Sequence, residues 1–127
     1  MRLRLLLDTH VFLWWLADRP KLSQEAGSAV AESENTVYLS VASIWEMVIK
    51  SALGKLDAPS DIPEALAANR ITPLPIDMSH AVAVASLPLL HNDPFDRMLV
   101  AQAQVEGLTL VTRDRRLLEY GVACLLA

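Results

Sequence analysis

One cysteine, Cys124, stands among 127 residues, which excludes an intrachain disulfide and a cysteine-built zinc site. A thiol-poor chain suits a reducing compartment, and a cytoplasmic location is expected. Long apolar runs are missing as well. The longest uninterrupted one, Val11 to Ala17, falls far short of the roughly 20 residues that span a bilayer, so no membrane partner is expected. The opening MRLRLLLDTHVFLWWLADRP imitates a secretory signal, but Asp8 and His10 interrupt its apolar stretch and no small-residue cleavage site follows. Positive charge is in deficit: 11 Lys and Arg stand against 15 Asp and Glu, giving a net charge of −4 and a pI near 5.2. That argues against a sequence-blind basic nucleic-acid binder, although an acidic site that takes metal ions can still handle phosphates. No lysine follows Lys55, so chemistry that needs a late lysine is closed to this chain.

What the chain has in abundance is apolar material, 53% hydrophobic residues against 20% charged, with a mean hydropathy of +0.31. At this length it is expected to form one domain over residues 1–127 with a sizeable core. Apolar runs alternate with helix-period segments. Strands are expected at Leu3 to Leu7, Val37 to Leu39, ITPLPI, Leu108 to Thr112 and Val122 to Leu126. The prolines of ITPLPI place that strand at a sheet edge. Helices are expected over Val11 to Ala17, Ser23 to Glu34, from Ser40 towards Gly54, from Asp61 to near Arg70, over Ser79 to Leu87, and from Asp93 or Pro94 to Gly107, with a helical turn from Asp114 to Glu119. Strands separated by helices imply an α/β fold, a three-layer α/β/α sandwich around a mainly parallel sheet.

Most acids lie on ordinary solvated helix faces, Glu25, Glu32, Glu34 and Glu106 among them. Three sit elsewhere. Asp8 follows LRLLL and Asp114 follows LTLVT closely, so both stand at carboxyl ends of strands, where open α/β sheets bind their ligands. Glu46 lies inside the apolar helix ASIWEMVIKSAL, either paired with Lys50 one turn on or turned towards the crevice. In HNDPFDR, Asp93 and Pro94 make a good helix start, and Asp96 on the first turn suits the helix dipole. Local chemistry alone leaves capping as a sufficient account of that pair.

Together these acids call for a cation. Two carboxylates about 4 Å apart repel by roughly 4 kcal/mol at an effective dielectric of about 20. Oxygen ligands without a His or Cys cluster select hard ions, Mg²⁺ or Mn²⁺. His10, His80 and His91 are scattered along the chain and are given no special role. Two such ions on carboxylates are the apparatus of phosphodiester hydrolysis. Arg97, Arg113, Arg115 and Arg116 stand beside Asp96 and Asp114 in the chain, either as phosphate contacts or as neutralising neighbours.

LLLDTH, SIWEMVIK, HNDPFDR with MLVAQA, and LTLVTRD, in that order, resemble the signature segments of PIN-domain ribonucleases, in particular the VapC-type toxins of toxin–antitoxin pairs. The resemblance implies Mg²⁺- or Mn²⁺-dependent endonucleolytic cutting of RNA, with Asp8, Glu46, Asp96 and Asp114 as the four acids. Thr9 and Thr112 match hydroxyl positions that orient carboxylates or water, and Asp93 is given the cap. A homodimer and a VapB-like antitoxin partner are implied too, its tail lying over the pocket. Trp14 and Trp15, adjacent on a helix that is apolar most of the way round, are candidate contacts for that partner, as Arg97 and Arg113 are for substrate or partner. An Asp-based phosphatase resembles the first strand, but it needs an acid where His10 stands and a late lysine. A non-catalytic scaffold of the same fold would be expected to have lost an acid, and here all four are present.

Overall fold

A computed structural model describes residues 2–127. Five parallel strands form one sheet in the order β3-β2-β1-β4-β5. β1 (Arg4–Leu7) is the middle strand, flanked by β2 (Thr36–Ser40) and β4 (Thr109–Thr112), with β3 (Ile71–Leu74) and β5 (Cys124–Leu126) at the edges. The edge position expected from the prolines is found, since Pro73 lies in β3 opposite Leu39 and an edge strand tolerates a missing N–H.

Side chains alternate along a strand, and a central parallel strand must be apolar on both faces. Leu5, Leu6 and Leu7 meet that demand with no exposed surface. Leu5 and Leu7, with Val37, Leu39 and Val111, pack against α1 (Thr9–Ala17), α2 (Gln24–Ala31), α3 (Val41–Ala52) and α4 (Ile62–Ala68) through Phe12, Ala26, Met47 and Leu66. Leu6 and Leu110 face the other way, onto Leu99, Val100 and Ala103 of α6 (Pro94–Glu106), with Ala83 and Val84 of α5 (Met78–Val84) behind them. The two cores make the three layers.

The helix ends follow the local chemistry. Ser23, Ser40, Asp61 and Asp93 each cap a helix by accepting from its first-turn N–H groups. Gly107, with φ +67°, closes α6 in the left-handed conformation that a side chain disfavours. Several boundaries differ from expectation: α2 stops at Ala31 rather than Glu34, β3 at Leu74, and β5 begins only at Cys124. α1 starts at Thr9 with Asp8 as its cap, because the carboxylate that ends β1 is already placed to receive the Val11 N–H. α5 begins one residue early and stops at Val84, fixed by a reciprocal cap between Asp77 and His80. Among the described residues no helix is long and apolar enough to cross a membrane.

α3 buries a partly polar side and exposes an apolar one. Its buried side carries Ala42, Ser43, Glu46 and Met47, while Val41, Trp45 and Val48 are exposed, Trp45 to 60%. A helix that buries glutamate and exposes tryptophan is packed for a site and a surface rather than for the core alone.

Candidate active site

The carboxyl ends of β1 and β4, with α3 and the start of α6, open onto a pocket of about 460 Å³, room for about fifteen waters at roughly 30 Å³ each. A phosphodiester with its neighbours fits such a space. Five carboxylates line it, those of Asp8, Glu46, Asp93, Asp96 and Asp114, against three fixed cations, Lys50, Arg113 and Arg116.

Strand register brings the first and last acids together. Leu7 pairs with Val111, so Asp8 and Thr112 follow as neighbours, and the Thr112 hydroxyl donates to Asp8 Oδ2 at 2.6 Å. Asp8 Oδ1 accepts the Val11 N–H at 2.8 Å. The same Thr112 oxygen accepts the Asp114 N–H at 3.0 Å, tying both acids to one hydroxyl. Burial pushes the Asp8 carboxyl above its ordinary range, against the Thr112 and Val11 hydrogen bonds that favour its charge.

Glu46 is 5% exposed. Thr9 donates to its Oε1 at 2.6 Å, and Lys50 donates to its Oε2. The alternatives left open by the sequence therefore both hold: Glu46 pairs with Lys50 and lines the pocket. That pairing raises the Lys50 ammonium above its usual value, with Asp93 and Asp96 adding to the effect.

Asp93 Oδ1 accepts from the N–H groups of Phe95 and Asp96, which starts α6 so that Asp96 points into the pocket. Among the described residues the Asp96 carboxylate accepts no hydrogen bond, and His91 Nε2 lies 3.3 Å away. Burial, then the charges of Asp93 and Asp8, push Asp96 up to about 7. Asp114 is the opposite case. Arg116 grips it through two guanidinium contacts and its own N–H, and His91 Nε2 donates at 2.9 Å, holding the carboxyl down at about 2. Ligand atoms of His91, Asp96 and Asp114 lie within 4.8 Å of one another. The acids of the pocket, rather than His91, whose two nitrogens are both engaged, suit a hard divalent cation: they offer carboxylate oxygen and surplus negative charge, and the Asp96 carboxylate is uncommitted.

Four expectations need correction. Arg97 leaves the pocket and donates to the carbonyls of Pro88, Val84 and Leu87 and to the Tyr120 hydroxyl, so it fastens a loop. Trp15 is buried, with Nε1 donating to Asn69 Oδ1 and Arg19 stacked 3.8 Å over its ring, which removes it from any contact surface. Glu106 is not simply solvated, because His80 Nε2 meets its Oε2 at 2.7 Å. His91, set aside in the sequence, stands among the acids. Trp14 and Arg113 do line the pocket, the guanidinium 4.3 Å from the ring centroid, and His10 sits on its rim near Trp14. His91 and Lys50 are the site residues that sequence reasoning undervalued. Their signals were present, His91 two residues before Asp93 and Lys50 one helical turn after Glu46.

A family model described as PIN domain matches residues 5–123. The chain is 34% identical over 119 residues to Ribonuclease VapC22 of Mycobacterium tuberculosis, covering 88% of each protein. Its fold is similar to that in the structure of VapBC2 from Rickettsia felis bound to a DNA fragment, with a TM-score of 0.73 at 15% identity over 98% of both chains. It is also similar to DNA-bound VapBC from Salmonella typhimurium, with a TM-score of 0.65 at 19% identity over 98% of both.

Proposed function

The chain belongs to the PIN-domain family, among its VapC-type proteins, and on that footing we propose that it is a divalent-metal-dependent endoribonuclease toxin, restrained in the cytoplasm by an antitoxin. The observation that carries this reading is the convergence of Asp8, Glu46, Asp96 and Asp114 from four separate elements into one pocket. The relative with 34% identity is named a ribonuclease, and that supports RNA as the substrate.

Mg²⁺ or Mn²⁺, when bound, would supply an activated water and stabilise the leaving oxygen of a phosphodiester. The chain's own residues do the rest. Thr112 and Thr9 orient Asp8 and Glu46 as ligands. Asp96 offers an uncommitted carboxylate, and Asp114 completes the set when Arg116, whose side chain is 63% exposed, swings towards phosphate. Lys50, Arg113 and Arg116 line the same pocket and place positive charge where the backbone of a bound strand would run. Asp93 aims Asp96 from the helix cap.

The structures similar to this fold include toxin–antitoxin complexes, and an antitoxin arginine entering the pocket would find Asp96 free to receive it. Trp14 and Arg113 on the pocket wall are the contacts we assign to RNA or to that partner. The exposed apolar side chains Val41, Trp45 and Val48 of α3 and Met78 and Val82 of α5 are the ones we assign to a homodimer, since a second copy would take them out of water. All 127 residues are assigned to one domain.

The test uses the purified protein on a total RNA preparation. Cleavage should vanish in EDTA, return with Mg²⁺ or Mn²⁺, and be lost in Asp8→Asn and Asp96→Asn, which keep the shape of the acid. Cleavage that persists in chelator, or in both variants, overturns the reading.

A further inference from the structure

His91 sits at the centre of the acid cluster with 7% of its surface exposed. Its ring is held at both nitrogens. Nδ1 accepts the Asp93 N–H at 3.0 Å, which leaves the hydrogen on Nε2. Nε2 then donates to Asp114 Oδ2 at 2.9 Å and stands 3.3 Å from Asp96 Oδ2. The loop that carries it is fastened by Arg97 to the carbonyls of Val84, Leu87 and Pro88. Asp114 follows β4 and Asp96 rides on α6, two elements joined here through one imidazole.

We propose that His91 is a positioning residue, setting Asp96 and Asp114 at the separation that a single divalent cation can bridge. This rests on the reading of those two acids as metal ligands. The Nε2 hydrogen is committed to Asp114 while the ring edge stands against Asp96; without the ring the two carboxylates face each other directly, and Asp96, which accepts no hydrogen bond, turns away. Hydrogen-bonded partners of metal-ligating groups typically carry a tenfold to hundredfold effect on affinity.

Two amides separate the two nitrogens of the ring. Asn at position 91 can accept the Asp93 N–H in place of Nδ1 but is too short to reach the acids. Gln can place an N–H₂ near the Nε2 position. Mn²⁺ affinity is read by the loss of the free-ion paramagnetic resonance signal, with thermal midpoints recorded alongside. His91→Asn is expected to keep its fold and to bind Mn²⁺ about tenfold more weakly. His91→Gln is expected to stay within about threefold of the parent, as rescue of the Nε2 contact requires. Equal affinity in His91→Asn and the parent, or a loss in His91→Gln as large as in His91→Asn, overturns the positioning role while leaving the metal site intact. A parent protein that binds no Mn²⁺, or an Asp96→Asn variant that binds as tightly as the parent, overturns both.

Discussion

Replacing Asp96 by Asn should stabilise the protein, and the size of the effect should depend on pH. Asp96 is raised from 3.8 to about 7, first by burial and then by the charges of Asp93 and Asp8. A carboxyl whose folded pKa lies above its unfolded value holds its proton more tightly in the folded chain. Folding therefore takes up a proton between pH 3.8 and about 7, and stability falls as pH rises through that window. At about 1.36 kcal/mol per pH unit, the full cost above pH 7 is roughly 4 kcal/mol. The side chain is 24% exposed, so solvent screening brings the expectation down to about 1–3 kcal/mol. Asn keeps the shape and discards the charge. In EDTA, thermal unfolding at pH 8 should show Asp96→Asn melting about 4–12 °C above the parent, at roughly 4 °C per kcal/mol for a chain of this size. At pH 4 the two should melt together. Added Mg²⁺ should then raise the parent and leave the variant where it was. An Asn variant no more stable than the parent at pH 8, or equally stabilised at both pH values, would refute the reasoning.

Thr112→Val removes the hydroxyl that donates to Asp8 and accepts from the Asp114 N–H. Urea unfolding should show a loss of about 1–3 kcal/mol, Mn²⁺ titration should show weaker binding, and Thr112→Ser should restore both. Arg97→Lys breaks the fork that gathers three carbonyls and should cost about 2 kcal/mol in the same unfolding experiment. A raised KM for RNA with an unchanged urea midpoint would return Arg97 to the substrate side.

The layer order was readable because period-2 and period-3.6 patterns are strong in this chain, and even the edge position of β3 follows from Pro73. The acids were readable because Asp8 and Asp114 interrupt or end apolar runs where the core needs none of them. Side-chain direction was not readable. Arg97 and Arg113 sit equally close to acids in the chain, yet one turns back to loop carbonyls and the other stacks on Trp14. Trp14 and Trp15 differ likewise, since neighbours on a helix point about 100° apart and only the sheet decides which is buried. His91 escaped notice because its partners, Asp96 and Asp114, reach it through the fold rather than through the sequence.

The hydrogen bond between Thr112 and Asp8 joins positions 104 residues apart. Contacts of such sequence separation close the largest loops, and their closure entropy is spent before the contact rewards it. A chain in which β4 is not docked beside β1 has Asp8 without the Thr112 hydroxyl, and Asp114 apart from Asp8. For the proposed activity the consequence lies in the topology: the pocket is complete only where the two ends of the chain meet, with β4 paired beside β1.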